Sequence, residues 1–379
     1  MRKNRYQFVK VLLIGTLMAV AVPPTVDFEH AFAASKATVV VKSVSDIQQV
    51  LLSAMNSHQV NVTFVYKGKT KSLKTQLKQA LDQAMESDPY INYTIASYGY
   101  SYKGSPSAAD VTVKLSYRES AQQTAYVEKR VKTVLNEIIT PGMNDHEKVK
   151  AIHDWIVIHL QYDTTLQKYT AYEGLSTGSA VCQGYSLLTY KMLKEAGIQN
   201  KIVEGTATPA GSRVSQLHAW NLVHISGAWY HLDTTWDDPV PDQKNGVGIE
   251  YYMRNDKQMR KDHTWTKPYP AAVTLYRNTL STLVQQGGSK TSFYKKLVKD
   301  LQYQLYDKSE IVASSTQLKA KVKETIAQGN RSIVFRFHGD ESTLMDALQY
   351  LYTLNIKGIS YNHSPFEETG DLKVFVTWK

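Results

Sequence analysis

Apolar and polar residues alternate with different periods along the chain, and the changes of period divide it into regions. Ser45 to Ser57 is helix-like, with Ser45 and Gln48 at the spacing of a capping box. "VNVTFVYKG" alternates as strands do, and "KSLKTQLKQALDQAMES" places apolar residues at helical spacing. "YTIASYGYSY" with "DVTVKLSYRE" predicts a β-hairpin. We therefore predict a small α+β module at 34–119.

The same order of elements returns near the C-terminus. "STQLKAKVKETIAQG" and "ESTLMDALQYLYTL" predict helices, and "RSIVFRFHG", "IKGISYNHS" and "DLKVFVTWK" predict strands. "VTFVYKG" at 62–68 matches "IVFRFHG" at 333–339 in kind, as "VKLSY" at 113–117 matches "VFVTW" at 374–378. We interpret the modules as a diverged α-β-α-β-β repeat, the second at 281–379. The alternative is a chance resemblance of two α+β units.

Residues 120–280 carry a third pattern that predicts a central domain. "NDHEKVKAIHDWIVIHLQYD" predicts a helix with Asn144 as its cap and Glu147 completing a capping box. "GSAVCQGYSLLTYKMLKEAG", at 178–197, predicts a helix that begins at the cysteine and stops at a left-handed Gly197. "NKIVEGTA", "LHAWNLVHI" and "AWYHLDTTW" predict consecutive strands. The fold class is therefore α+β throughout.

The last two of these strands bring a histidine and an aspartate together. If Ser226 and Gly227 form a two-residue hairpin turn, Trp220 opposes Asp233. His218 and Asp233 are then diagonal neighbours on one face, about 7 to 8 Å apart between backbones. Such an aspartate can accept a hydrogen bond from the imidazole Nδ1 and stabilise the imidazolium. A register shifted by one residue would place the two side chains on opposite faces.

Composition and the N-terminus indicate where the protein acts. The chain has 379 residues and one cysteine, so an intramolecular disulfide is impossible. Residues 1–33 combine a basic start, an apolar run and the small-residue site "AFA", which predicts a secretory signal peptide. An uncleaved N-terminal anchor is the alternative. No later segment has the ~18 consecutive apolar residues of a membrane helix, so we expect membrane contact only through this segment. The predicted location is secreted or cell-wall associated.

Charge and motifs narrow the expected partners. The net charge of +10 suits a polyanionic cell-wall surface, although solubility alone would explain it equally well. The lysines are scattered and no zinc-finger, helix-turn-helix or RNA-binding signature occurs, so we expect no nucleic acid partner. His231 stands two residues before Asp233, but no third ligand has metal-binding spacing. We therefore expect neither a metal nor another cofactor, and we interpret His153, His159 and His224 as surface or packing residues.

The lone Cys182 gains a chemical role from its position. The positive end of the helix dipole favours the thiolate, which is the form that attacks carbonyl carbons. Cysteine, histidine and aspartate in this chain order supply the nucleophile, base and orienting group of acyl transfer. Backbone N–H groups at the helix start can also face a developing oxyanion. The alternative is that Cys182 is a small inert apolar residue, the usual state of a lone buried cysteine.

Three sequence blocks carry a resemblance to a known family. "GSAVCQGYSLL", "LHAWNLV" and "WYHLDTTWDD" resemble the signature blocks of the transglutaminase-like superfamily, within roughly 145–240. "HDWIVIHLQYD" is similar to the helix that precedes the catalytic loop of that family. The resemblance implies a papain-like fold with Cys182 as nucleophile, His218 as general base and acid, and Asp233 as orienting residue. It does not extend to the flanking modules.

Other site positions are less well defined. The resemblance maps the second oxyanion donor of the family onto no particular residue, and Gln183 and Tyr185 are the candidates. Trp220 and Trp236 are candidates for the walls of a substrate groove. These four residues complete the predicted site.

Two functions fit these observations. One is an exported enzyme that attacks the amide carbonyl of a glutamine or a peptide bond and forms a thioester on Cys182. It would pass the acyl group to an amine or to water, as a transglutaminase, protease or amidase, and act on protein, peptide or cell-wall peptide substrates. The other is a catalytically idle scaffold that binds cell-wall or protein partners. The intact triad favours the enzyme, and the choice between water and amine depends on how the closed groove excludes water.

Overall fold

The computed structural model describes residues 39–239, 246–367 and 369–379. The described chain falls into two compact units that divide between Thr274 and Leu275. The predicted signal peptide at 1–33 lies outside the described residues. Within the described part of the chain, none of the helices is long and apolar enough to cross a membrane.

The first unit opens with a four-stranded sheet covered by helices. Its elements are β1 (Val40–Val41), α1 (Val44–Asn56), β2 (Asn61–Lys67), α2 (Leu73–Glu86), α3 (Pro89–Thr94), β3 (Ile95–Ser105) and β4 (Ala108–Tyr117). The strand order is β1-β2-β4-β3, with β1 parallel to β2 and the other pairs antiparallel. Every second residue of β2 and β4 is buried, and α1 and α2 supply the buried leucines and alanines that pack against them. The predicted β3–β4 hairpin is present.

Helix α1 begins earlier than the sequence pattern indicated. Ser43 is its N-cap: the Ser43 hydroxyl accepts a hydrogen bond from the Asp46 N–H at 3.1 Å, and the Asp46 carboxylate accepts from the Ser43 N–H at 3.1 Å. The predicted capping box of Ser45 and Gln48 is therefore wrong, since both lie inside the helix. The short Asp46 side chain replaces the usual Glu or Gln of this motif, so the spacing rule did not identify it.

The rest of the first unit contains the cysteine helix and a second antiparallel sheet. Its elements are α4 (Ala121–Ile138), α5 (Asp145–His159), β5 (Gln161–Tyr162), α6 (Ala171–Thr177), β6 (Ser179–Ala180), α7 (Cys182–Glu195), β7 (Asn200–Ala207), β8 (Gln216–Ile225), β9 (Ala228–Leu232), α8 (Asp256–Met259) and β10 (His263–Thr264). The sheet order is β10-β7-β8-β9. Asn144 and Glu147 form the predicted capping box of α5, and Gly197 follows α7 with the predicted positive φ of 81°. Helix α7 packs against β8, and the side chains from Tyr185 to Tyr190 are buried.

The β8–β9 hairpin has the predicted register. Ser226 and Gly227 have φ of 49° and 74°, as the two turn residues of a type I′ hairpin require. Pairing runs from Ile225 opposite Ala228 to Asn221 opposite Leu232. β9 ends there, so it is shorter than predicted, and Trp220 does not pair with Asp233 within the ladder. The chain turns away at Asp233 because the Asp233 side chain bonds to backbone N–H groups two and three residues ahead.

The second unit repeats the topology of the first sheet. Its elements are α9 (Tyr276–Gln286), α10 (Thr291–Asp300), 3₁₀ turns at Tyr303–Tyr306 and Lys308–Glu310, β11 (Ile311–Val312), α11 (Ser315–Ala327), β12 (Ser332–Phe337), α12 (Glu341–Gln349), a 3₁₀ turn at Tyr350–Leu354, β13 (Ser360–Pro365) and β14 (Leu372–Thr377). The order β11-β12-β14-β13 and the strand directions match those of the first sheet. A shared origin of the two modules stays a prediction. The predicted boundary at 280/281 falls inside α9, and the predicted boundary at 119/120 lies within the first unit.

Candidate active site

Cys182 is the first residue of α7, and the surrounding backbone is closely packed. Val181 is the N-cap, and its side chain makes no capping hydrogen bond to the N–H groups at this helix end. The approach of the helix to its neighbours depends on Gly184, where an added Cβ would lie 2.6 Å from the Ala180 Cβ and 3.0 Å from the Thr170 carbonyl oxygen. The helix start is therefore held by close packing against Ala180 and Thr170, as an oxyanion site requires.

A short parallel strand pair positions the residues before the cysteine. Tyr162 of β5 pairs with Ala180 of β6, and the Asp163 N–H donates to the Ala180 carbonyl at 2.9 Å. The Asp163 carboxylate in turn accepts hydrogen bonds from the backbone of Gln167 and Lys168. These bonds tie the end of α5 to the loop that leads into Cys182.

His218 and Asp233 form a buried hydrogen-bonded pair. The His218 Nε2 donates to the Asp233 Oδ2 at 2.6 Å. The sequence interpretation placed this bond on Nδ1. The structure corrects that, and it leaves Nδ1 as the ring nitrogen available to the sulfur. Burial by itself lowers the pKa of His218, but the Asp233 charge and hydrogen bond, with a smaller contribution from Cys182, raise it to about 10. The imidazolium form of His218 is thus strongly favoured.

Asp233 is held by four hydrogen bonds. Its Oδ1 accepts from the Thr235 and Trp236 N–H groups at 3.0 and 3.1 Å, and its Oδ2 accepts from His218 and from His263, the latter at 3.2 Å. Burial raises the pKa of Asp233, but the two histidines outweigh it and hold that pKa below its ordinary value. Asp233 therefore remains a carboxylate and fixes the orientation of the His218 ring.

His263 is a site residue that the sequence interpretation missed. It lies on β10, is fully buried, and donates from Nδ1 to the Asp262 Oδ1 at 2.5 Å as well as from Nε2 to Asp233. Burial lowers the pKa of His263, and the hydrogen bonds to the two aspartates raise it above its ordinary value. The two-residue strand β10 pairs with β7 and leaves no periodic pattern in the sequence. The adjacent Asp262 and His263 were the only available signal.

The ring nitrogens of His218 and His263 and an oxygen of Asp233 all lie within 4.8 Å of one another, a grouping that can hold a metal ion. In this structure the 2.6 Å separation between His218 and Asp233 is a hydrogen bond, shorter than the ~3.3 Å that separates two ligands of a tetrahedral ion with ~2.0 Å bonds. His231 is engaged elsewhere: it accepts from the Trp220 Nε1 and donates to Asp256, both at 2.8 Å. The absence of a metal stays a prediction.

The remaining predicted site residues occupy different environments. Tyr185 is fully buried and donates to Asp238, so its hydroxyl is not available as an oxyanion donor. Trp220 is also buried, with its indole N–H bonded to His231, so it is a core residue rather than a groove wall. Trp236 is partly exposed with its ring centroid 5.6 Å from that of His218, as a groove wall requires. Gln183 is partly exposed, and its Nε2 has no hydrogen-bond partner among the described residues.

Two tyrosines also lie near the sulfur. Burial raises the pKa of Tyr162, and Cys182 adds to that effect. Burial, then Glu204, and to a smaller extent Cys182 raise the pKa of Tyr93, whose hydroxyl is buried without a hydrogen-bond partner in the described part of the chain. Tyr93 belongs to α3, outside the region of family resemblance. No sequence signal assigned either residue to the site.

Helix α3 packs on α7. Lys194 of α7 forms an ion pair with Asp88, the N-cap of α3, at 2.9 Å. The Lys191 ammonium lies 4.0 Å from the ring centroid of Tyr90. These contacts hold α3 against the C-terminal half of α7, and Tyr93 of α3 is the residue of that helix that interacts with Cys182.

Comparisons with known proteins agree with this geometry. Residues 132–234 match the family model described as the transglutaminase-like superfamily. The chain is similar to the kyphoscoliosis peptidases of Mus musculus, at 32% identity over 128 residues, and of Homo sapiens, at 30% over 121. These matches cover 30% and 29% of this chain and 19% and 18% of the relatives, so the aligned region spans about a fifth of their length.

A solved structure titled a TGase is similar at 14% identity with a TM-score of 0.27, covering 60% of this chain and 64% of that one.

Proposed function

Because the chain carries a transglutaminase-like core, we propose that it is a cysteine enzyme that attacks an amide carbonyl, breaks its C–N bond through a thioester on Cys182, and passes the acyl group to an amine or to water. The observation that carries this proposal is the buried 2.6 Å bond between His218 and Asp233, together with the interaction of the same His218 ring with the cysteine at the start of α7. Only a folded arrangement of three separate sequence blocks brings these groups together. Inert cysteines have no need of such an arrangement.

The proposed reaction has two halves. The Cys182 thiolate attacks the carbonyl carbon of a glutamine side chain or a peptide bond, and the oxygen of the tetrahedral intermediate faces the N–H groups at the start of α7. The His218 imidazolium gives its proton to the departing ammonia or amine, which leaves an acyl-thioester. His218 then takes a proton from the incoming amine or water, which attacks the thioester and expels the Cys182 thiolate, so the thiolate–imidazolium pair is restored. Asp233 keeps the ring oriented in both halves.

The substrate and location are also part of the proposal. Protein or peptide substrates fit a family of amide-cleaving enzymes, and the peptidase names of the relatives favour hydrolysis over transfer. The predicted signal peptide and the net charge of +10 support export to a polyanionic cell wall, where wall peptides would be available. N-terminal sequencing of protein recovered outside producing cells would test export: a start at Ala34 supports it, and retention of residues 1–33 inside the cell contradicts it.

The reaction is tested with the protein comprising residues 34–379. It is incubated with glutamine-bearing peptides, with and without an amine donor, and separately with cell-wall peptides, and the products are followed by mass spectrometry. A loss of ammonia with a gain of the amine shows transfer, and cleaved or deamidated peptide shows hydrolysis. Cys182→Ala is the control for contaminating activity. The same result for both proteins on every substrate would favour the scaffold.

A further inference from the structure

His263 has a carboxylate at each of its two ring nitrogens. It donates from Nε2 to Asp233 at 3.2 Å and from Nδ1 to Asp262 at 2.5 Å. A carboxylate only accepts hydrogen bonds, so a ring that bonds to two carboxylates must carry a proton on both nitrogens. His263 is therefore an imidazolium, which agrees with the upward direction of its pKa.

The surroundings of His263 balance this buried charge. Asp233 and Asp262 are its two anionic neighbours, and Asp262 also accepts from the Tyr251 hydroxyl at 2.7 Å. His218 is the nearest other imidazole, with its ring centroid 5.3 Å away. His231 also faces this region; its Nδ1 accepts from the Trp220 Nε1, so the ring is neutral, in agreement with the lowering of its pKa by burial. The rings of Trp220 and Trp236, at 5.0 and 4.5 Å, exclude solvent from the remaining sides.

His263 and His218 bond to the same oxygen of Asp233, so they compete for one carboxylate charge. A carboxylate that faced His218 alone would hold the imidazolium more tightly. General acid catalysis needs a less tightly held proton, because His218 must give its proton to the leaving amine. A second cation beside Asp233 therefore limits the basicity of His218 while it fixes the carboxylate in place.

We propose that His263 is a positioning residue that holds Asp233 and, by its positive charge, sets the proton affinity of the Cys182–His218 pair. This inference rests on the proposed function, since it concerns the same triad. It predicts that removal of the His263 charge stabilises the His218 imidazolium and weakens the stabilisation of the thiolate by its positive surroundings. Both proton-transfer steps of the pair should therefore move to higher pH.

The test uses the only cysteine of the chain as its reporter. The rate of Cys182 alkylation by iodoacetamide is measured from pH 4 to 11 by intact mass spectrometry. An ion pair gives two transitions, one for loss of the thiol proton and one for loss of the imidazolium proton. His263→Gln keeps an N–H donor toward Asp233 but removes the charge. Both transitions should rise, that of His218 by about one pH unit, the size expected for a charge 5.3 Å away in a partly screened site.

A matched control separates this effect from simple damage. His153 is also fully buried and also donates to two carboxylates, Asp154 at 2.8 Å and Asp237 at 3.0 Å. His153→Gln should lower stability to a similar extent but leave both transitions where they are in the unaltered protein. If His263→Gln shows unshifted transitions, or shifts no larger than those of His153→Gln, the inference is wrong. An unaltered protein with a single ordinary thiol transition would instead contradict the proposed function.

A second measurement uses only the unaltered protein, so it does not depend on whether a variant folds. ¹⁵N NMR of the imidazole rings in the unaltered protein should show both His263 nitrogens protonated between pH 6 and 8. A neutral tautomer of His263 in that range would overturn the proposal.

Discussion

Two buried clusters of histidine and aspartate in the first unit share one arrangement and differ in the groups added to it. The triad cluster comprises Cys182, His218, Asp233 and His263, and the His153 cluster comprises His153, Asp154 and Asp237. In each, one imidazole donates to two carboxylates and is fully buried. Only the triad cluster adds a second imidazole and a sulfur. Burial and charge pairing are thus common to both clusters. The triad cluster can catalyse a reaction because its Asp233 also binds His218, the partner of the sulfur.

The contacts of the His153 cluster indicate a structural role. Asp237 accepts from His153 of α5 and from the Tyr251 N–H at 2.8 Å, and its own N–H donates to the Asp233 carbonyl at 3.1 Å. It therefore fastens the loop that carries Asp233 to helix α5. The His153 cluster holds the loop in place, and the triad cluster takes its catalytic aspartate, Asp233, from that loop.

The largest expected effect is on turnover and separates the clusters completely. Cys182→Ala removes the nucleophile and His218→Ala removes the proton carrier, so each should reduce turnover to background. His153→Ala should lower stability but leave turnover per folded molecule within a few fold of the unaltered protein. Product formation by mass spectrometry and thermal melting measure the two quantities. Cys182→Ala should scarcely change the melting temperature, because the side chain is partly exposed and makes no disulfide.

The aspartates give the next largest difference. Asp233→Asn keeps the size of the side chain but loses the charge that orients and stabilises His218, so turnover should fall on the order of 10²- to 10⁴-fold. Asp237→Asn should cost about 2 to 4 kcal/mol of unfolding free energy, since it weakens a buried pair, with little loss of turnover. Denaturant titration measures the unfolding free energy of both variants, and enzyme kinetics measure their turnover. Equal losses of turnover would mean that the clusters do not differ in function.

The pH dependence of stability should be similar in the two clusters. The pKa of His218 is raised to about 10 from an unfolded value of ~6.5, so its stabilising contribution is complete below ~6.5 and is lost as pH rises toward 10. The unfolding free energy lost in His218→Gln should therefore shrink by a few kcal/mol over this range. The pKa of His153 is also raised, because the bonds to Asp154 and Asp237 outweigh burial, so His153→Gln should show the same sign. A loss that stays constant with pH in His218→Gln would contradict the assignment of a charged pair.

Sequence reasoning found those parts of the site that local rules determine. The register of the β8–β9 hairpin follows from the turn residues Ser226 and Gly227, and it predicts that His218 and Asp233 meet. Cys182 begins a helix whose end at Gly197 is equally local. Which ring nitrogen of His218 faces Asp233 does not follow from the sequence, because the orientation of the ring depends on its packing against Trp220 and Trp236.

The missed residues depend on contacts between distant segments. His263 bonds to a residue 30 positions away in the chain, from a strand of two residues that carries no pattern. Tyr93 interacts with Cys182 from α3, which packs on α7. This packing between distant segments cannot be inferred from the local sequence pattern. Trp220 was placed in a groove because a tryptophan beside a catalytic histidine can wall a substrate site, whereas the indole N–H is bonded within the core.

The most direct measurement is the rate of Cys182 alkylation by iodoacetamide at pH 6 in three proteins: unaltered, His218→Gln and His153→Gln. At this pH a free thiol is almost wholly protonated. If His218 activates the sulfur, the unaltered protein and His153→Gln should react at similar rates, and His218→Gln should react at least about tenfold more slowly. Equal rates in the unaltered protein and His218→Gln would show that Cys182 is not part of a catalytic triad.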